Sequence, residues 1–292
     1  MGVTARWRLR IAYRGTEFHG FAAQPSVKTV AGELAAALKN LARLEAAPII
    51  VCAGRTDAGV HAIGQVIHVD LPDPLPEGNA GPVTPQQLCR SLNRQLGRSI
   101  SVIEATRVSQ HFDARHSATW RRYRYVIHEG LAPDPLLADW AWNVPGPLDV
   151  RAMAQAIGAV MGSHDFRAFC RKAPGTTSAQ PIVRYVTDAS VTIPDEAGVL
   201  DLVGGRLIRI ELQASSFCHQ MVRSIVGQLV EIGQGKSTAA DLVTLLKSHD
   251  RQAAAQPAPP EGLCLIGVGY DEELETREPT TDPGLPEAPN SP

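Results

Sequence analysis

Along residues 6–14, "RWRLRIAYR", apolar and basic positions alternate with a period of two. Trp7, Leu9, Ile11 and Tyr13 fall on one side, and Arg6, Arg8, Arg10 and Arg14 on the other. Successive strand side chains point to opposite faces, so the segment predicts a half-buried strand with an arginine face. The period then changes. Val30, Leu34, Leu38, Leu41 and Leu44 recur at helical spacing behind a capping residue at Thr29, which predicts a helix over 29–45. "PIIVCA" and "GQVIHVDL" read as strands flanking the loop at 53–62, and Leu88, Leu92 and Leu96 mark a second helix before a strand near 100–107.

The second half repeats this order. It predicts a strand at 119–128, a helix at 149–161, strands near 182–193 and 205–213, helices at 219–232 and 238–248, and a closing strand "LCLIGVGY". Two copies of a split βαβ pattern imply an α+β fold of two pseudo-symmetric βαββαβ halves with mainly antiparallel mixed sheets. The expected division is 1–115, 116–270 and a tail at 271–292. A cleft between the halves is the natural place for a ligand.

Composition narrows the function classes. The net charge of −2 averages unlike parts. From Asp271 onward there are seven acids and one base among Pro, Glu, Thr and Asp, a composition that cannot bury a core and predicts a disordered acidic tail. The remaining residues hold 27 bases against 23 acids, so an anionic partner depends on how the bases cluster. The five cysteines are far apart with no CxxC pair, which indicates neither a disulfide framework nor a zinc site, and predicts small buried thiols in a reducing compartment. No window reaches the roughly 18 apolar residues of a membrane span, and "MGVTARWRLR" has no apolar core of the signal-peptide kind. The expected location is the cytoplasm, with no membrane partner.

Most short motifs carry little. "GQGKST" at 233–238 has Val230 where a phosphate-binding loop needs glycine. The histidine pairs 61/68 and 111/116, and the adjacent Cys218 and His219, lack metal-ligand spacing. They read as core or surface residues, and no metal is expected.

The loop "AGRTDAGVHA" at 53–62 differs. Ala53, Gly54, Ala58 and Gly59 strip it of bulk, and apolar strands hold it on either side, so Asp57 is presented rigidly where a ligand can approach the backbone. The plain reading of Arg55 and Asp57 is a turn cap answered by a surface ion pair.

The loop resembles the signature of the TruA family of tRNA pseudouridine synthases. The resemblance continues through "FDARHSATWRRYRY" (112–125), "GSHDF" (162–166), "FCHQMVRSIVGQLVEIGQGK" (217–236) and "APPEGLCLIGVGY" (258–270). It implies isomerisation of uridine to pseudouridine at positions 38, 39 or 40 of the tRNA anticodon stem-loop by a homodimer, without cofactor or metal. It also implies that Asp57 is the catalytic aspartate, Arg223 its ion-pair partner, Tyr123 the ring that stacks on the target base, and Leu263 a lining residue of the base pocket. Whether Asp57 attacks the sugar, attacks the base or removes a proton from the sugar is left open by the sequence. Arg55 either contacts the RNA backbone or everted nucleotide, or closes a loop salt bridge. Arg8, Arg10, Arg14 and Arg121, with Arg115, Arg122 and Arg124, form two basic blocks that pseudo-symmetry would gather on one RNA groove.

The chain departs from the family pattern at Arg14, Phe21, Ala22, Gly97, Ser99 and Asp113, where the family has aspartate, tryptophan, glutamine, proline, aspartate and histidine. Two other readings fit the residues: an RNA-binding module without turnover, and a hydrolase using Cys52 or Cys218.

Overall fold

In the computed structural model, residues 3–76, 83–171, 180–194 and 204–271 are described; the acidic tail beyond Asp271 lies outside them. The first alternating segment forms β1 (Thr4–Tyr13), and Trp7, Leu9 and Ile11 are completely buried. Each large apolar side chain so buried contributes about 1.5–3 kcal/mol. There follow α1 (Val30–Ala42), β2 (Val51–Cys52), β3 (His61–Pro72), α2 (Pro85–Leu96) and β4 (Ile100–Val108). The second half contains β5 (Ala118–Glu129), β6 (Trp142–Val144), α3 (Val150–Ile157), β7 (Gly162–Asp165), β8 (Val183–Thr192), β9 (Arg206–Ala214), α4 (Met221–Gly233), α5 (Ala239–Ser248) and β10 (Leu263–Tyr270).

The helices begin where side chains satisfy their first free N–H groups. Thr29 accepts from Gly32 N at 3.2 Å, and Thr84 with Gln87 and Thr238 with Asp241 form capping boxes, each cap contributing about 1 kcal/mol. The helix starting at Met221 is the exception. Gln220 turns the chain through a left-handed conformation at φ 65° without a side-chain cap. With Met221, Ile225 and Leu229 fully buried and even Ser224 inaccessible, α4 is apolar nearly all round and runs through the core.

The strands form one continuous, mostly antiparallel sheet in the order β4-β1-β3-β10-β5-β9-β8-β7, with β2 added to β3 and β6 to β5. The pseudo-symmetry is visible in the pairing. Among β1 to β4, and again among β5, β8, β9 and β10, the order is fourth, first, third, second. The two expected sheets are fused because β10 pairs parallel with β3 and antiparallel with β5.

Fusion positions the loop at 53–60. β2 pairs with β3 at Ile67 and His68, whereas β10 pairs with β3 at His61 and Ala62. The loop leaves one occupant of that strand edge and returns beside the other, so it arches over the seam between the halves. The strand expected at 48–53 contracts to two residues; Ile49 is 84% exposed, and residues 47–51 form the rim of a cleft.

Candidate active site

The loop is braced from below by buried polar contacts. Ala53 N donates to Val66 O, Gln65 Nε2 donates to Gly54 O at 2.7 Å, and Tyr13 Oη lies 2.8 Å from Thr56 Oγ1. Phe21 N donates to Thr56 O. Burial pushes the Tyr13 hydroxyl well above the usual phenol range, so it remains a neutral hydrogen-bonding group. Val60 N closes a turn onto Asp57 O at 3.2 Å, with Gly59 at φ +80° in its third position. Such a turn takes glycine there, and a Cβ on Gly59 would stand 2.9 Å from Pro260 Cγ.

This turn aims Asp57 at α4. Arg223 Nη1 donates to Asp57 Oδ2 at 3.1 Å, and His219 Nε2 lies 3.2 Å from Asp57 Oδ1. The Arg223 side chain is only 13% exposed, and its Nε donates to Ala258 O at 2.6 Å. Ala258 N returns the bond to Arg223 O, while Gly227, whose Cβ would collide with Gln256 O, lets segment 255–260 lie directly on the helix. A guanidinium so anchored supplies a fixed countercharge where burial removes water. Arg55 does not close a salt bridge with Asp57. It is exposed on the rim, with no hydrogen bond or ion pair to the other described residues.

Tyr123, on β5, packs edge-on against Phe217 with ring centroids 5.1 Å apart and interplanar angle 88°. Its hydroxyl is pushed above the ordinary phenol range, chiefly by burial. Tyr123, Leu263 and Phe21 line the same cleft of 1310 Å³ that contains Asp57, so the structure brings Asp57, Arg55, Tyr123, Arg223 and Leu263 together.

The cleft's basic residues match those expected only in part: Arg115 and Arg121 line it as expected, and Arg184 is added. Arg115, His116 and Arg184 join Arg55 and Arg223 on its wall. Arg184 Nε is buried without a hydrogen-bond partner among the described residues. Burial pushes the Asp113 carboxyl up, but the N–H groups of His116 and Arg115 outweigh it and hold the group below its usual value while shaping this wall. The first arginine block is not gathered on this groove, and of the second only Arg115 and Arg121 line it. Arg8 lies over the Tyr270 ring, Arg10 pairs with Glu104, and Arg14 pairs with Glu17. They sit on or beside β1, which lies beyond β3 from the seam. Arg121 reaches the cleft, but its guanidinium donates to the carbonyls of Ala53, Arg115, Ala118 and Ser215 and is 8% exposed. It is a structural tie.

Two departures from the family pattern meet at one carboxylate: Glu17 accepts from Ser99 Oγ at 2.7 Å and pairs with Arg14. Bonds from Ser99 and Arg14 bring Glu17 down to about 2.

The cysteine expectation is corrected at one pair. Cys170 and Cys218 are joined by a disulfide with Cα atoms 5.8 Å apart. Forty-eight residues separate them in sequence; the 3-10 turn Arg167–Phe169 and the lead-in to α4 bring them together, which spacing alone does not reveal. Cys52, Cys89 and Cys264 are free. Among the described residues no group of His, Cys, Asp and Glu has the arrangement of a metal site, and no helix is long and apolar enough to cross a membrane. His61 and His68 are core residues as expected, accepting N–H bonds from Gly15 and Ala114. His219, passed over in the sequence, touches the central carboxylate.

Fold and site together define a class: an α+β protein whose two sheet halves meet at an ion-paired aspartate, beside an aromatic ring in a cation-lined cleft. Comparison with known proteins narrows it. The model of a tRNA pseudouridine synthase family matches residues 156–271. The chain is 41% identical over 289 residues to tRNA pseudouridine synthase A of Leifsonia xyli, covering 94% of this chain and 96% of that protein. It is 40% identical to the Frankia casuarinae protein of the same name, covering 94% of each, and 37% identical to that of Gluconobacter oxydans, covering 92% and 90%. This chain therefore belongs to the tRNA pseudouridine synthase family.

Proposed function

We propose that this chain isomerises uridine to pseudouridine in the anticodon stem-loop of tRNA, at positions 38, 39 or 40, with Asp57 as the catalytic residue. The observation that carries the reading is the Asp57–Arg223 pair inside the cleft, with Tyr123 and Leu263 beside it. Isomerisation moves the ribose link of uracil from nitrogen to carbon 5, with no net redox change or hydrolysis. A carboxylate, a seat for the base and exclusion of water meet that need. Asp57 faces the reacting nucleotide, Arg223 balances its charge, Tyr123 stacks on the everted base, and Leu263 closes the apolar side of the seat.

In this reading Arg55, Arg115 and Arg184, which line the cleft, meet phosphates around that nucleotide, Arg55 being the exposed cation of the loop that carries Asp57. No cofactor is called for. The active form in this reading is a homodimer in the cytoplasm, with one tRNA touching both copies; sedimentation of the protein alone and with tRNA checks the stoichiometry. The activity test is incubation with an unmodified tRNA transcript followed by pseudouridine mapping. Product at the anticodon arm, absent with Asp57→Asn, supports the reading. No product from the parent protein favours an RNA-binding module instead.

A further inference from the structure

The lead-in to α4 is held at successive residues, which leaves little freedom at one position. Phe217 packs against Tyr123, Cys218 is bonded to Cys170, and Gln220 takes the left-handed conformation that starts the helix. Between them, His219 O accepts from Arg171 N at 3.0 Å. The His219 backbone is thus fixed on both sides, while its side chain is 49% exposed and places Nε2 3.2 Å from Asp57 Oδ1. The other carboxylate oxygen, Oδ2, belongs to Arg223, which is itself clamped to Ala258. The two oxygens therefore have different partners: a buried, immobile cation on one and a half-exposed imidazole on the other. Only the side of Oδ1 is held by a group open to the cleft.

We propose that His219 is a positioning residue that aims Oδ1 of Asp57 into the cleft, and that Oδ1 is the oxygen that meets the target nucleotide. The inference rests on the reading of Asp57 given above. The imidazole standing 3.2 Å from Oδ1 braces that oxygen on one side, restricts the carboxylate's rotation about its last torsion and leaves the other side of Oδ1 for the nucleotide. Arg223 alone holds Oδ2 at one point and does not fix that rotation. The gain from a second anchor is orientation of the reacting atom, where small misplacements cost large factors in rate.

The test uses the full chain with an unmodified tRNA transcript and compares His219→Ala, His219→Gln and His219→Asn with the parent. The glutamine amide nitrogen reaches approximately where Nε2 stands, whereas the asparagine amide falls short. The expected result is that His219→Ala lowers kcat about tenfold or more with KM within about threefold, that His219→Gln recovers to within about threefold of the parent, and that His219→Asn does not. Because the side chain is half-exposed, all three variants should melt close to the parent, which a thermal scan verifies. A parent-like kcat in His219→Ala, an effect confined to KM, or equal losses in the alanine and glutamine variants would each overturn the proposal. Asp57→Asn run in parallel separates the two readings: if it stays active, the assignment of Asp57 itself is wrong; if it is inactive while His219→Ala is unimpaired, only the role of His219 falls.

Discussion

Arg223 and Asp57 are 166 residues apart in sequence, yet their side chains meet at 3.1 Å across the seam of the sheet. The pair joins the two halves of the molecule at the point where chemistry is proposed. Arg223→Ala should leave a partly buried carboxylate without its fixed countercharge, lowering kcat about a hundredfold or more. It should also destabilise the fold by about 1.5–3 kcal/mol. Arg223→Lys retains charge but cannot bond both Ala258 O and Asp57 and should recover only part of each. Steady-state kinetics and denaturant unfolding on the same samples check this; an unimpaired alanine variant would remove Arg223 from the mechanism.

Tyr123 supplies an aromatic face already packed by Phe217. Tyr123→Ala should weaken binding of an anticodon-arm RNA by about 1–3 kcal/mol, and Tyr123→Phe should not, since stacking needs only the ring. Fluorescence titration distinguishes them, and a comparable loss in the phenylalanine variant would point to the hydroxyl instead.

Arginines in the same cleft should separate by role. Replacing Arg55, Arg115 and Arg184 together should flatten the dependence of log affinity on log salt by about 0.7–0.9 for each phosphate no longer neutralised. Arg121→Ala, which abandons four carbonyl acceptors, should lower stability by several kcal/mol, with its salt slope unchanged if enough folded protein is recovered. A flattened slope in folded Arg121→Ala protein would mean this guanidinium faces RNA after all.

Acid should weaken the core through two histidines. Burial lowers the pKa of both His61 and His68, and in each Nδ1 must stay unprotonated to accept a backbone N–H. A folded pKa below the unfolded value of about 6.5 means that this contribution is fully present above pH 6.5 and is lost as pH falls below it toward the folded value. The melting temperature should fall between pH 7 and 5, and the drop should shrink in the His61→Asn, His68→Asn double variant, whose amide oxygens keep the acceptors without titrating. An identical drop would place the acid sensitivity elsewhere.

The free thiols Cys52 and Cys264 should be inert. Burial pushes both up to about 11, so little thiolate exists at neutral pH. Alkylation at pH 7.5 should label them at about a tenth or less of the unfolded rate and leave pseudouridine formation unchanged. Loss of activity on labelling of Cys52 would revive the hydrolase alternative.

Much of this was legible from residue patterns. Alternation at Trp7, Leu9 and Ile11 located β1, and Thr29 located the start of α1, because burial periodicity and capping are local rules. The glycine-rich turn pointed to Asp57 because small residues around one carboxylate are a local signal as well. Partners set by tertiary packing were hidden. Nothing in the alternation of β5 shows that Arg121 is consumed by four carbonyls, or that Arg184, two strands away, reaches the cleft. Nor does the Cys-His dipeptide at 218–219 reveal that one residue meets Cys170 and the other Asp57, since that depends on the left-handed turn at Gln220.

Strand β10, the last of the described strands along the chain, occupies the middle of the sheet. A nascent chain can finish the β1–β3–β4 unit early, but the opening beside β3 stays unfilled until Leu263–Tyr270 arrive and join it to β5. The sheet is therefore closed by one strand added late: until Leu263–Tyr270 pair on both sides, it stays unzipped at its centre.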